Sequence, residues 1–277
     1  MPDYVLSCCS TADLSREWLE KRDIKYLFFN YYLNGEVCKD DFGATNSPAE
    51  LYGKMLAGAD AKTSQISAGD YMAHFEKFLA TGKDVLHVTL STGISGTYNS
   101  ACTARDQLAE KYPERKVVIV DSLAASSGYG LLMDKMADLR DGGMGIAELA
   151  AWAEEHKNEV QHWFFSSDLT FFVRGGRISK AAGLVGGMLK ICPVMEVAPD
   201  GSLAVKEKIR TKAKAIARVV EKMEELAEDG LDYSGKCFIS NSECIDDAQE
   251  VARRIEAKFP KLDGKVEIFP IGATIGV

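Results

Sequence analysis

The sequence predicts an α/β protein of two domains: an N-terminal, mostly parallel sheet with flanking helices, and a C-terminal mixed or antiparallel α+β domain. Three observations carry this reading. In the first half, short apolar runs alternate with helical segments, a pattern that requires right-handed βαβ crossovers. After Asp141-Gly-Gly-Met-Gly145 the strands come in close pairs. Between two of them, Ala198-Pro-Asp-Gly201 is a strong hairpin signal. The boundary is placed at 158/159, giving domains 1–158 and 159–277, with a ligand cleft expected at their broad interface.

The elements follow in order. Residues 4–8 read as a strand, and Asp13 reads as the N-cap of a helix over 14–22 with Leu14, Trp18 and Leu19 on one face. Residues 26–33 form a second strand, closed by Asn34-Gly35. Ser47-Pro48 opens a helix with proline at its first position. Asp70 begins another, with Tyr71, Phe75, Phe78 and Leu79 at helical spacing. A strand over 85–90, a helix over 98–111 and a strand over 117–121 come next, then helices from 128 and over 146–157. The second half shows strands at 161–165, 191–197 and 203–209, helices near 211–229 and 246–259, and strands near 236–241 and 266–277.

Composition narrows the function. Apolar residues make up 46% and charged residues 27% of 277, an ordinary globular balance. A net charge of −8 argues against nucleic-acid binding, since no basic stripe offsets it. The N-terminus has no basic leader and no apolar run reaches spanning length, so a cytoplasmic location is expected. Seven cysteines without C-x-x-C spacing and four scattered histidines disfavour a zinc or disulfide framework.

The chemistry concentrates in 85–98, where an apolar strand breaks into Ser91-Thr-Gly-Ile-Ser-Gly-Thr97 and enters a helix. Free backbone N–H groups and hydroxyls converge there, which suits an anion. The turn lacks the G-x-S-x-G spacing of a serine hydrolase, the glycines of a dinucleotide fold and the lysine of a P-loop. His87 lies inside the strand and reads as a core or interface histidine. Lys62-Thr63-Ser64-Gln65, taken alone, reads as a cap or turn before the Asp70 helix. Asp121-Ser122 and the small residues to Gly128 put hydroxyls at another strand end, where open sheets gather ligands. Arg174-Gly-Gly-Arg177-Ile-Ser-Lys180 offers cations for a phosphate or carboxylate, or a solvated basic turn. The small-residue stretch 181–189 allows close approach of a backbone or an alkyl chain.

Taken together, Ser10-Thr-Ala-Asp-Leu14, Lys62-Thr-Ser-Gln65, Leu90–Tyr98, Asp121-Ser122, Gly175-Gly-Arg-Ile-Ser-Lys180 and Lys190-Ile-Cys-Pro193 make the chain resemble the DegV family, including the FakB-type fatty-acid-binding proteins, essentially end to end. The resemblance implies a long-chain fatty acid buried between two domains, with no other cofactor and no metal. It implies that Thr63 and Ser95 hold the carboxylate, with Ser64, Ser91, Gly96 and Ser122 in support. Arg177 is implied to lie near the acid or the phosphate-transfer machinery. It also implies a separate fatty acid kinase as partner, with transient membrane contact. Two departures stand out: Cys9 replaces an aspartate that the family often has before Ser10-Thr11, and the family usually continues past the final strand into a His-Thr-Gly-type turn, where this sequence stops at Ile275-Gly-Val277. That turn is expected to be missing from the sequence.

Three function classes follow. A carrier that presents its lipid to a kinase leads. A stand-alone acyl hydrolase or phosphotransferase using Ser95, Arg177 and Lys180 is the alternative, and a ligand-responsive regulator is third. The acyl chain preferred and the oligomeric state are left open.

Overall fold

The computed structural model describes residues 3–179 and 191–277. The first half runs β1 (Tyr4–Cys9), α1 (Arg16–Lys21), β2 (Lys25–Leu27), β3 (Asn30–Leu33), β4 (Glu36–Lys39), α2 (Pro48–Leu56), β5 (Ala61–Ser64), α3 (Ala68–Leu79), β6 (Asp84–Thr89), α4 (Thr97–Lys111), β7 (Val117–Asp121), α5 (Ser126–Asp141) and α6 (Ile146–His156). The second half runs β8 (Trp163–Phe165), α7 (Thr170–Arg174), β9 (Ile191–Val197), β10 (Leu203–Arg210), α8 (Lys212–Leu226), β11 (Cys237–Asn241), α9 (Ile245–Lys258), β12 (Val266–Pro270) and α10 (Ala273–Gly276). Lys180, the small-residue stretch 181–189 and Lys190 lie outside the described residues.

The central sheet has the order β2-β1-β6-β7, all parallel. Its inner strands are covered on both faces, so their side chains are buried throughout and split by parity. Leu6, Cys8, Leu86 and Val88 pack on one side with Leu132, Met133 and Met136 of α5. Cys9 and Val85 pack on the other with Phe75, Ala101 and Ala104 of α3 and α4. An antiparallel sheet β10-β9-β8 and a parallel pair β11-β12 form the second half, under α8 and α9. The mixed character predicted there is present.

Several local readings need correction. The expected strand over 26–33 is two strands in two sheets: β2 joins the central sheet, while β3 forms an antiparallel β4-β3-β5 sheet. Asn34 and Gly35 both adopt positive φ and turn β3 into β4, so the predicted turn is a hairpin turn. Asp13 does not cap α1: Ser15 does, accepting from the Trp18 N–H. Asp70 is in the first turn of α3 rather than at its start, and Ser67 is the cap. Residues 61–64 are a strand, not a cap. The final segment is strand only to Pro270 and then becomes α10.

The second half is tied to the first through α5. Trp18 stands edge-on to Phe238 and Phe269, and its Nε1–H donates to Asp134 at 2.8 Å. The buried Asp134 carboxylate also meets Arg22 at 3.1 Å and Lys236. Charged partners on both sides satisfy a carboxylate that burial alone would penalise. Among the described residues, no helix is long and apolar enough to cross a membrane.

A polar thread runs through the α3 face of the sheet. The Ser7 hydroxyl lies 2.8 Å from His74 Nε2 and 3.0 Å from His87 Nδ1. His87 Nε2 lies 3.5 Å from Cys9 Sγ, which lies 3.3 Å from the Tyr71 hydroxyl. Burial brings His74 down to about 4, holds His87 well below its ordinary value, and pushes the Cys9 thiol up to about 12. The thread is therefore neutral at pH 7.

Because both histidines refuse a proton that the unfolded chain accepts, the stability they contribute is full above pH 6.5. The His74 part is lost as pH falls toward about 4, and below pH 6.5 each histidine costs up to about 1.4 kcal/mol per pH unit for as long as it stays unprotonated in the folded protein. The buried carboxyls of Asp13 and Asp40 are raised and act with the opposite sign. Comparison with His74→Gln isolates the histidine contribution. Urea unfolding at pH 7 and pH 5 is expected to show the larger acid loss in the unmodified protein, and equal losses would contradict the assignment.

Candidate functional site

The strand order β2-β1-β6-β7 reverses direction between β1 and β6, so the loops leaving those two strands part and open a crevice at the carboxyl end of the sheet. The loop after β6 carries the hydroxyl-rich turn. Asp121, at the end of β7, clamps it: its carboxylate accepts from the Thr92 hydroxyl at 2.5 Å, the Thr92 N–H at 3.2 Å and the Leu123 N–H at 3.1 Å. Ser91 N–H donates to Ala124 carbonyl and Ser122 N–H to Thr89 carbonyl, so the β6 and β7 loops are hydrogen-bonded to each other.

Ser95 projects from this frame into a cavity of about 1570 Å³ between the halves. Its Oγ accepts from the Thr97 N–H at 3.3 Å, which leaves the hydroxyl proton to donate to a ligand. The Thr97 hydroxyl lies 3.0 Å from Tyr71, so the neutral thread in the core ends directly behind Ser95. Cys9, just before Ser10-Thr11, is a fully buried link of that thread.

Thr63 reaches the same wall from β5, opposite Tyr31 of β3. Arg177 bridges the two sides. Its Nη2 lies 3.5 Å from Thr63 Oγ1, its Nε–H donates to Ile94 carbonyl at 3.3 Å, and its Nη1 donates to Gly175 carbonyl at 2.6 Å. The structure thus brings Thr63, Ser95 and Arg177 to one pole of one cavity, and these elements are far apart in the chain. Ser64 also borders the cavity, but its hydroxyl is turned to the Asn30 carbonyl at 3.2 Å. Gly96 is there because Gln65 needs its space: a Cβ would meet Gln65 Oε1 at 2.4 Å.

Two expected supporting residues are placed elsewhere. Ser91 is fully buried, donates to Gly201 carbonyl at 2.8 Å and accepts from Gly93 N–H. Ser122 is fully buried and closes its own turn through Ala124. Their hydroxyls are spent on loop geometry and are not on the cavity wall.

Three contributors were missed in the sequence. Gln65 was quoted within its motif without a role. The Ile94 carbonyl that orients Arg177 belongs to the backbone and has no sequence signal. The third is the segment 271–277, whose N–H groups at 272–274 are taken by two buried carboxylates. Asp13 accepts from Gly272 N–H, and Asp40 from Ala273 and Thr274 N–H, at 3.0 to 3.2 Å. Ser126 donates to Asp13 at 2.6 Å. Burial raises both acids, Asp13 well above the ordinary value with the Asp40 charge adding to it. Ile271, Thr274 and Ile275 thereby become part of the cavity wall. The rest of that wall is largely apolar, including Phe29, Leu90, Leu131, Phe164 and Phe172. Among the described residues no group of three or more histidine, cysteine or acidic side chains is arranged to hold a metal.

Comparison with known proteins places this architecture. The model of the family described as uncharacterised protein, DegV family, matches residues 9–277. A DegV domain-containing protein of Clostridium perfringens is 32% identical over 276 residues, covering 100% of this chain and 94% of that protein. A DegV-family protein of Ruminococcus gnavus, solved with vaccenic acid, superposes with a TM-score of 0.86 at 25% identity, covering 99% of this chain and 95% of that one. DegV of Bacillus subtilis, described as a fatty acid binding protein, gives 0.80 at 26% identity, covering 100% and 95%.

The seam between loop and hairpin is testable. A Cβ on Gly93 would fall 2.4 Å from the Gly201 carbonyl carbon, a backbone atom that cannot step aside. Gly93→Ala is expected to cost about 1–3 kcal/mol, as overpacking does, and to lower the thermal midpoint. A midpoint equal to that of the unmodified protein would show the two turns are not in contact.

Proposed function

The chain belongs to the DegV family, and from that premise we propose that it is a lipid carrier: it holds one long-chain fatty acid in the cavity and presents the carboxylate to a separate fatty acid kinase. The observation that carries this reading is the convergence of Thr63, Ser95 and Arg177 at one pole of a large, mainly apolar cavity. In it, the Ser95 and Thr63 hydroxyls donate to the carboxylate. Arg177 supplies positive charge beside it, where an acyl phosphate would form, and the apolar walls take the chain. The structures solved with a fatty acid, or described as binding one, support the ligand class. The partner kinase, a cytoplasmic location and the transient membrane contact are inferences from the family resemblance. For the division at 158/159, the cluster under α8 and α9 is built from residues after the boundary, while Phe238, Phe269 and Ile275 pack into clusters of the first half.

Energetically, tail and head divide the work. Each buried methylene contributes about 0.8 kcal/mol, so a sixteen-carbon chain supplies roughly 10 kcal/mol before ordering costs. A hydrogen bond to the charged carboxylate contributes about 1.5–3 kcal/mol. The tail therefore sets affinity and length preference, and the hydroxyls set orientation and choose acid over ester.

Ser95→Ala and Thr63→Ala are each expected to leave a folded protein whose fatty-acid affinity drops about tenfold to a hundredfold. The double variant should lose most of its lipid during native purification, read by mass spectrometry of the intact complex. Lipid content equal to that of the unmodified protein would sink the assignment of these hydroxyls. Turnover of acyl esters by the isolated protein would favour the enzyme alternative.

A further inference from the structure

The segment 271–277 belongs to the second half by sequence, yet its apolar side chains pack on the first. From Pro270 of β12 the chain crosses to α2 and β3. Ala273 and Val277 pack on the cluster of Tyr31, Leu51 and Met55, and Ile275 on the cluster that holds Phe29 and Leu90. Phe171 of α7, the helix that leads to Arg177, joins the first of these clusters, and Tyr31 is the partner of Thr63 across the sheet. The segment therefore bridges the two halves at the head-group end of the cavity, which Ile271 and residues 274–277 line. All seven of its residues are half-buried.

Acids fasten it. Asp13 and Asp40 are 4% and 2% exposed and flank one glycine: a Cβ on Gly272 would fall 2.8 Å from Asp13 Oδ1 and 3.0 Å from Asp40 Oδ1. Together they take the N–H groups of Gly272, Ala273 and Thr274. Their other partners among the described residues are hydroxyls, Ser126 for Asp13 at 2.6 Å and Ser10 for Asp40 at 3.2 Å, and neither acid has a cation beside it there. Ser126 also lies 2.9 Å from the Ser240 hydroxyl of β11, so Asp13 gathers the segment, α5 and β11 at one point. At the far end, the Tyr52 hydroxyl donates to the Ile271 carbonyl at 3.3 Å and lies 2.1 Å from where a Cβ on Gly276 would stand.

Carboxylates buried side by side give up hydration, and the N–H groups of 272–274 offset that cost only while the segment is closed. When the segment lifts, water returns to both acids and compensates much of the loss. An apolar anchor has no such compensation, because exposing it to water only costs free energy. A joint of this kind can part and re-form. We propose that residues 271–277 are a strap over the head-group end of the cavity, that Asp13 and Asp40 are its catch, and that a fatty acid enters and leaves when the strap lifts. This rests on the carrier reading and deepens it, by naming the part that controls exchange.

The test is stopped-flow mixing of delipidated protein with cis-parinaric acid, a fluorescent fatty acid, and its displacement by stearic acid. Asp40→Ala removes the acceptor of two strap N–H groups, and Gly276→Ala forces the strap off Tyr52 without touching either acid. Each is expected to raise association and dissociation rates together, by roughly tenfold, the ratio that one net hydrogen bond yields. Kd should move far less than either rate, because a gate acts in both directions. Unchanged rates in whichever variants fold, or a rise in dissociation alone, would overturn the proposal. Hydrogen exchange on the unmodified protein decides it independently of any variant: the amides of 272–274 should exchange more slowly once stearic acid is bound, and exchange that ignores the ligand overturns the strap. Failure of the unmodified protein to bind either acid would instead overturn the carrier reading itself.

Discussion

The turn after β6 and the turn between β9 and β10 meet closely at Gly93 and Gly201, and this seam joins the two halves beside the cavity. Gly93 and Gly201 make the approach possible, since a Cβ on either would collide with its neighbours. Ser91 then donates to the Gly201 carbonyl, closing the seam with a hydrogen bond inaccessible to water. The hairpin carries with it the sheet β10-β9-β8, and hence Phe164 and His162 on the cavity wall. One backbone contact thus fixes where the second half stands over the mouth of the first.

Polar groups around the site serve two different ends. Asp121, Ser91 and Ser122 are consumed in holding loops, and each has its hydrogen bonds inside the protein. Ser95 differs in keeping a proton to donate, because its oxygen is held from behind by Thr97 N–H and Thr97 is held by Tyr71. That ordering limits the freedom lost when an acid binds, which is the physical basis of preorganisation. Asp13 and Asp40 act at the other edge. Their burial is offset by the N–H groups of residues 272–274, and in return they lock the last segment into the wall.

What could be read in advance followed from local physics. The parallel strands β1, β6 and β7 are runs of apolar and β-branched residues with helical segments between them, and they were located within a residue or so. The Asp200-Gly201 turn was equally plain. Errors came where tertiary context overrode a local preference. Asp13 has the chemistry of an N-cap, yet its carboxylate is drawn into the protein by Gly272 and Ser126. The stretch 26–33 looks like one strand, but Phe28 and Phe29 carry the chain from one sheet to another. Thr63 and Ser64 have turn chemistry, yet pairing with β3 extends them. Ser91 and Ser122 were indistinguishable from Ser95 in sequence, because all three are small hydroxyl residues at strand ends.

The sequence by itself determined the fold class, the family resemblance and the set of hydroxyls and cations from which a head-group site can be made. These depend on periodicity, turn chemistry and motif order, all of which are local. Only the tertiary structure decided which members of that set face the cavity. That choice depends on where Gly93 lets the hairpin dock, on which way each hydroxyl is turned by its neighbours, and on His162 filling the space beside Gly128. Such contacts join residues tens to hundreds of positions apart, and no short-range pattern encodes them.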